Sequence, residues 1–514
     1  MVAKGSTVVK GGIVLTALEY PIVFVNVILS IVVASYLGPT LYGIRGILLS
    51  GYSFISSGII GMISVPLVKE YSFYKARNDY KKVGYVLGAS LFFIISSTLT
   101  GILMISLIYI TYYINVISLV YLQQIIFLLS ISLICSSIYS LSTAIFLGEM
   151  NYKVISYFRI LELSSTIIGY LTLILCNMVT LWNVFVVFTA TKSLLAIFGA
   201  FKALIQISSS RVKIRLNKQF LNQFLSGLSV YGLGSFVFYI YTNLDSFILP
   251  VFIDMKSLGY YYFAKRILSL INIGFSKAKT FLLPFFSEKI SINENLFTVY
   301  VRTNIKFTLV ITTTISFLLS FFSELWLNII SYFIPKFSAY LEGSFIISIM
   351  SFIAILYPYS NDIGTYFNSL GKFKYMTINN ILTLFVYSSV ILTIGPWGVL
   401  WAAVGLLIAY IFRAFVWSIL LLRYNIQLSF KRILSILVLI IIIWVSAISF
   451  AHHFLGFNPL IESLLALFLV FVTPIIECRM KILLQDELLI IRKYSKKRKV
   501  LKVLYAILFG EKEL

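Results

Sequence analysis

Apolar residues fall into fourteen runs separated by short polar segments: 12–35, 43–67, 83–110, 116–146, 154–176, 182–206, 222–252, 259–286, 303–328, 342–369, 375–394, 398–422, 433–453 and 459–478. A helix rising 1.5 Å per residue needs about 20 residues to cross the ~30 Å hydrocarbon layer of a bilayer, and the runs are of that order. Lipid offers backbone N–H and C=O groups no partner, so a crossing segment is a helix or part of a closed barrel. Barrel strands alternate apolar and polar positions over about ten residues, and these runs do not. The pattern predicts an all-α polytopic membrane protein of about fourteen spans. Lys4 and Lys10 precede the first run, and no small-residue cleavage pattern closes it early. It therefore reads as a retained first span.

The segments between runs alternate in charge. Lys69, Lys75, Arg77, Lys81 and Lys82 follow span 2, Lys153 follows span 4, and Arg211, Lys213, Arg215 and Lys218 follow span 6. Lys289 and Arg302 follow span 8, Lys372 and Lys374 follow span 10, and Arg423, Lys431 and Arg432 follow span 12. The intervening segments are nearly free of Lys and Arg, with only Lys256 and Lys336 near 254–258 and 331–341. Cytoplasmic loops carry the basic excess. An even number of spans with both termini in the cytoplasm satisfies that rule, and it predicts a multi-pass protein of the cell membrane.

The pattern also repeats. Leu41-Tyr42-Gly43 leads through an apolar run to Pro66 and Glu70, and Leu258-Gly259-Tyr260 leads through another to Pro284 and Glu288. A third pair, Leu147-Gly148…Tyr152 and Leu370-Gly371…Tyr375, follows in the same order. The separations are 217 (258 against 41), 218 (284 against 66) and 223 (371 against 148). This suggests a tandem duplication whose unit is six spans. Six is even, so both copies enter the membrane in the same sense and form parallel repeats. The expected organisation is an amino-terminal lobe over 1–207, a basic cytoplasmic linker over 208–221 and a second lobe over 222–425. Spans 13 and 14 fill 426–478, and a basic cytoplasmic tail covers 479–514. That tail, with Lys496-Lys497-Arg498-Lys499, reads as a helix on the anionic inner leaflet.

Composition narrows the function classes. Of the 514 residues 60% are hydrophobic and 11% charged, against about 25% charged in a soluble domain. The net charge of +23 is spread over short loops rather than gathered on one basic domain, which argues against a nucleic-acid partner. Cys135, Cys176 and Cys478 lie scattered inside apolar runs without ligand spacing, and His452-His453 falls in a short outer loop. No metal site or cofactor is expected. No phosphate loop, nucleophile elbow or zinc motif is present, and the outer loops are short and poor in acid, so an enzyme is not expected.

Charges inside the spans are the better clue, since each is costly unless paired or facing water. Glu19 lies in span 1, Arg45 at the start of span 2, and Arg159 and Glu162 three apart on span 5, where they read as a structural pair. Lys192 lies in span 6, placed either to line a cavity or to snorkel. Asp245 is in span 7, Lys265 and Arg266 in span 8, Asp362 in span 10 and Arg413 in span 12. Arg45, Lys192, Lys265, Arg266 and Arg413 are the candidate cations for an anionic substrate such as a phosphate. Asp245, Asp362 and Glu19 are candidates for coupling to an ion or proton. Pro66 and Pro284 are expected to kink spans 2 and 8, and Gly148 and Gly371 to cap helices.

Ser35-Tyr36-Leu37-Gly38-Pro39…Tyr42-Gly43 resembles the start of helix 2 in Wzx-type polysaccharide flippases. Asp245, Leu258-Gly259-Tyr260-Tyr261…Ala264 and Pro284 resemble their helix 7–8 region. Leu370-Gly371-Lys372 with Gly395-Pro396…Gly398 resembles their helices 10–12. These proteins belong to the multidrug/oligosaccharidyl-lipid/polysaccharide exporter superfamily, with lipid II flippases and MATE drug exporters as relatives. The resemblance implies a MATE-like architecture of two six-helix lobes that rock between inward-open and outward-open states. It implies a polyprenyl- or dolichyl-linked (pyro)phosphate oligosaccharide as cargo, membrane lipids and glycosyltransferases of the same pathway as partners, and a monomer. Lipid II flippases carry a charged cluster in helix 1, where this chain has only Glu19; that argues against lipid II itself. A cation-coupled multidrug exporter is the alternative.

Overall fold

The computed structural model describes residues 2–113, 119–149, 151–209, 212–269, 272, 294–370, 372–424, 444, 465, 468–469 and 472–473. These are helical almost throughout, and among the described residues there is no strand. Nine helical segments there are long and apolar enough to cross a membrane. Their long unbroken helices follow from the backbone's need for internal partners in lipid.

The first helix, α1, covers Val2–Ser53 and is bent at Gly38, whose φ of 70° lies in the left-handed region. Glycine adopts that conformation without a Cβ clash, and Pro39 after it cannot complete the hydrogen-bond ladder. Spans 1 and 2 of the sequence are thus separated by one backbone break rather than a loop. Span 2 is itself interrupted: Phe54–Ile59 is π-helical and Ile60–Ile63 is 3-10 before α2 resumes over Ser64–Ala76. Pro66 falls in the first turn of α2, where its missing N–H costs little. The irregularity therefore lies just before the proline. Helices α3 (Tyr80–Tyr113), α4 (Leu119–Gly148), α5 (Tyr152–Leu175), α6 (Leu181–Ser209) and α7 (Lys218–Ile248) follow. Asn151 and Asn217 cap α5 and α7 by accepting from Val154 N–H and Phe220 N–H. Between α6 and α7, residues 212–217 are not helical, and Arg215 N–H donates to Gly84 O of α3 at 3.2 Å. After a 3-10 turn at Leu249–Val251, α8 covers 255–269.

Then come α9 (Glu294–Phe321), the short α10 (Ser323–Phe333), α11 (Ser344–Ser351), α12 (Ile353–Ser369), α13 (Phe373–Ile394) and α14 (Val399–Arg423). Predicted span 10 is thus two helices, α11 and α12, joined at Phe352. The chain divides into two compact units, Met1–Tyr262 with Asn380–Gly398, and Phe263–Asn379 with Val399–Leu514.

The first unit is held by close backbone approach. A Cβ on Gly259 would lie 2.0 Å from Pro39 O, and one on Gly43 would lie 2.3 Å from Met255 O and 2.9 Å from Gly259 N. The two glycine motifs that repeat in the sequence therefore cross each other in contact. Between α4 and α6, small hydroxyl residues interlock: Ser132 Oγ pairs with Thr189 Oγ1 at 2.9 Å, and Gly199 faces Ser142. The second unit packs on Trp417, Tyr359, Ile363 and Phe367 in one cluster, and on Phe317, Phe322 and Trp444 in another. Trp444 Nε1–H donates to Thr473 Oγ1 at 2.8 Å, so the described parts of spans 13 and 14 join that second cluster. Pro284, His452-His453, Cys478 and the basic tail lie outside the described residues.

Candidate functional site

In the first unit, polar side chains line a column along the second half of α1 and along α5. Arg45 is half-buried one turn into that segment, with its guanidinium carbon 5.4 Å from the centre of the Tyr42 ring. Tyr170 of α5 and Tyr42 are its polar neighbours, and its Nε has no partner among the described residues. Two turns further along α1, Tyr52 Oη pairs with Ser136 Oγ of α4 and stands near Lys192 and Glu162.

There the column becomes ionic. Glu162 accepts from Lys192 Nζ of α6 at 2.8 Å on Oε1 and from Arg159 Nη1 at 2.9 Å on Oε2. Their side chains are 18% (Lys192), 25% (Glu162) and 31% (Arg159) exposed, so the cluster is neither sealed in the core nor freely solvated. The sequence offered Arg159–Glu162 as a structural pair and Lys192 as a separate group; folding joins all three. Tyr139 of α4 lies beside them, with Arg159, Glu162 and Lys192 as its charged neighbours. Its hydroxyl is buried, next to the Thr143 side chain of the same helix. The column of Arg45, Arg159, Lys192 and Glu162 carries three cations and one carboxylate.

Asp245 is fully buried in the last turn of α7. Its Oδ2 accepts from Tyr261 Oη of α8 at 2.6 Å, and its Oδ1 from Ser246 N–H at 2.8 Å. In the second unit, Asp362 of α12 is buried, and its Oδ2 accepts from Thr308 Oγ1 at 2.7 Å and Asn304 Nδ2 at 3.0 Å, both on α9. Hydroxyl, amide and backbone donors thus reach both carboxylates, as a buried acceptor requires. Arg413 of α14 is buried, and its carbonyl accepts from Asn379 Nδ2 at 3.5 Å. Lys265 and Arg266 are half-buried on the second half of α8. Glu19 lies outside the residues whose side chains are described. Lys306 of α9, which the sequence reading did not single out, is fully buried two residues from both Asn304 and Thr308. A lysine one turn into a predicted span among Thr and Asn was the available signal. Among the described residues, no group of His, Cys, Asp and Glu could hold a metal.

These spans, with charged and hydroxyl side chains buried along them, define a multi-pass membrane protein. The chain belongs to the family described as polysaccharide biosynthesis protein, which matches residues 32–332, more than half of its length. No curated protein matches the sequence. Among solved structures, the fold is similar to the lipid II flippase MurJ in its inward closed conformation. The TM-score is 0.68 at 16% identity, over 88% of this chain and 97% of that one. It is also similar to an inward-facing multidrug resistance MATE transporter of the MOP superfamily, with TM-score 0.60 at 12% identity, over 80% and 94%. A MOP superfamily transporter from Pyrococcus furiosus, reported to have a binding pocket of reverse polarity, matches with TM-score 0.58 at 13% identity, over 82% and 95%. The MATE-like fold implied by the sequence resemblance is the fold of this protein.

Proposed function

We propose that the protein is a flippase that carries a lipid-linked oligosaccharide, joined through phosphate or pyrophosphate to a polyprenyl or dolichyl carrier, from the cytoplasmic to the outer leaflet. The lobes over 1–207 and 222–425 would rock to expose the cargo alternately to each side. The family membership over 32–332 is the observation that carries this reading. The excess of cations over carboxylates along α1, α5 and α6 supports it, because an anionic headgroup needs positive partners once it leaves water. Arg45, Lys192, Lys265, Arg266 and Arg413 would contact the headgroup, with Arg45 and Arg266 suited to a two-pronged grip on phosphate oxygens. Asp245, Asp362 and Glu19 would couple transport to an ion or proton. The lipid tail would stay in the bilayer. Both termini would lie in the cytoplasm, and the glycosyltransferases that build the cargo would be its functional neighbours.

The test is surface-glycan export in cells carrying Lys265→Ala together with Arg266→Ala. Export falling at least tenfold at unchanged protein level is the expected outcome. Normal export in the double variant overturns their role in holding the headgroup. A second reading, a cation-coupled drug exporter of MATE type, draws on the two buried carboxylates, Asp245 and Asp362.

A further inference from the structure

We propose that the end of the first unit where residues 212–217 lie across α3 is a docking surface for anionic phospholipid headgroups of the inner leaflet. The segment is seated by its backbone. A Cβ on Gly84 would lie 2.1 Å from Lys213 O, and one on Gly88 would lie 2.3 Å from Arg215 O. Arg215 N–H donates to Gly84 O at 3.2 Å. Two extended residues rise about 6.6 Å and four helical ones about 6 Å, so alternate carbonyls of the segment match glycines one turn apart on α3. This contact holds Lys213 and Arg215 beside the start of α3.

The seating gathers charge. Lys213, Arg215 and Lys218 come from the segment and the start of α7, and Arg77, Lys81 and Lys82 from the turn into α3; all six are exposed. Aromatic rings join the two groups. Phe220 of α7 packs on Tyr74 and Tyr85 with ring centres 6.1 and 6.0 Å apart, and Lys82 Nζ lies 5.3 Å from the centre of the Tyr74 ring. Lys82 also pairs with Asp79 at 3.4 Å, and among the described residues the other five make no ion pair. Apolar side chains stand among these cations: Ile214, Leu216 and Tyr80 are 44%, 65% and 41% exposed. Cations with water-avoiding neighbours suit the headgroup layer of a bilayer, where phosphates meet the charge and the apolar groups leave water. The level fits as well, since one candidate span begins at Tyr80 and another ends at Ser209. Basic loops stay in the cytoplasm, which would put this surface at the anionic inner leaflet. Topology alone asks only that loops be basic. It does not ask that one be fastened by its backbone beside another, with Ile and Leu exposed between the charges.

The test is native mass spectrometry of the purified full-length chain in detergent, offered equal amounts of phosphatidylglycerol and phosphatidylcholine. The unmodified chain is expected to retain phosphatidylglycerol in preference. Lys213→Gln with Arg215→Gln is expected to weaken that preference about tenfold or more. Lys374→Gln with Arg423→Gln, which removes two exposed cations from the second unit, is expected to leave it unchanged. Gly88→Ala removes no charge but drives the segment off α3, and a severalfold weakening is expected. Should Gly88→Ala fail to fold, Ile214→Ser with Leu216→Ser changes exposed positions only, keeps every cation, and is expected to weaken the preference in the same sense. Equal losses in the two glutamine pairs would show a general effect of net charge and overturn the surface. Retention without headgroup preference also overturns it, and if Lys213→Gln with Arg215→Gln then still lowers glycan export, the surface belongs to a soluble protein partner. Displacement of the lipid by sodium phosphate, but not by potassium chloride at matched ionic strength, assigns the cations to free phosphate and overturns the lipid.

Discussion

Glu162 shows how much of a residue's chemistry depends on partners far away in sequence. Its pairing with Arg159, three residues back on the same helix, follows from helical spacing alone. Its pairing with Lys192, thirty residues on, does not, and it brings a third charged group from α6 to the pair. Asp254 is the opposite case, a carboxylate whose role is local. It precedes α8 and accepts from Ser257 N–H at 2.9 Å, capping the helix. Burial pushes this carboxyl up, but the hydrogen bonds from Ser257 and the neighbouring backbone outweigh it and hold the group below its ordinary value. Asp254→Ala is expected to cost about 1 kcal/mol, read as a lower unfolding midpoint. A depressed carboxylate stabilises fully above its unfolded value, near pH 4, and the contribution is lost as pH falls through the lower folded value. The difference between Asp254→Ala and the unmodified chain should therefore be full at neutral pH and shrink only below about pH 4.

At the scale of elements, the repeated glycines are explained by the crossing they make. The second half of α1 and the start of α8 approach so closely that a Cβ on Gly259 would sit 2.0 Å from a backbone oxygen. Backbone cannot step aside as a flexible side-chain end can, so Gly259→Ala is expected to separate the helices. The check is the monodisperse fraction on fluorescence-detected size exclusion, which should fall severalfold. Gly61→Ala is the control: its nearest neighbour would be 3.7 Å away, and the profile should not change. The irregular stretch Phe54–Ile63 belongs to this scale too. A π-helical turn followed by a 3-10 turn leaves a weakened ladder in the middle of a long span, next to the Tyr52 group. Such interruptions occur often at functional sites. Pro66 pointed to a break in this span, and the break lies just before it.

At the scale of the molecule, family and fold place the chain among membrane proteins of polysaccharide biosynthesis whose relatives in structure are flippases and drug exporters. The two functional readings separate on charge. A drug exporter for cations would be expected to present unopposed acid along its path, whereas the carboxylate of Glu162 is shared between Arg159 and Lys192. Expression of the chain in cells stripped of their own multidrug exporters is therefore expected to confer no efflux of cationic dyes above background. Efflux abolished by Asp362→Asn would establish the exporter reading instead.

The sequence by itself determined that the chain is a bundle of membrane-spanning helices, because the run lengths match a bilayer and lipid admits no other open backbone. It also marked an interruption in span 2, since Pro66 acts on the backbone locally. The duplicated glycine motifs were legible as a repeat but not as a contact, because a repeat carries no information on which helices meet. Likewise the charged residues were legible singly: Arg45, Lys192, Asp245 and Asp362 stand out against apolar surroundings. Which of them share a proton, a carboxylate or a hydroxyl depends on packing between helices many residues apart. Only the tertiary structure decided that Lys192 joins Arg159 on Glu162, that Lys306 is buried, and that Asp245 closes α7 against Tyr261. Hydrophobic pattern and backbone chemistry act over a few residues and can be read from the chain, whereas ion pairing in a bundle is set by side-chain directions that exist only once the helices have packed.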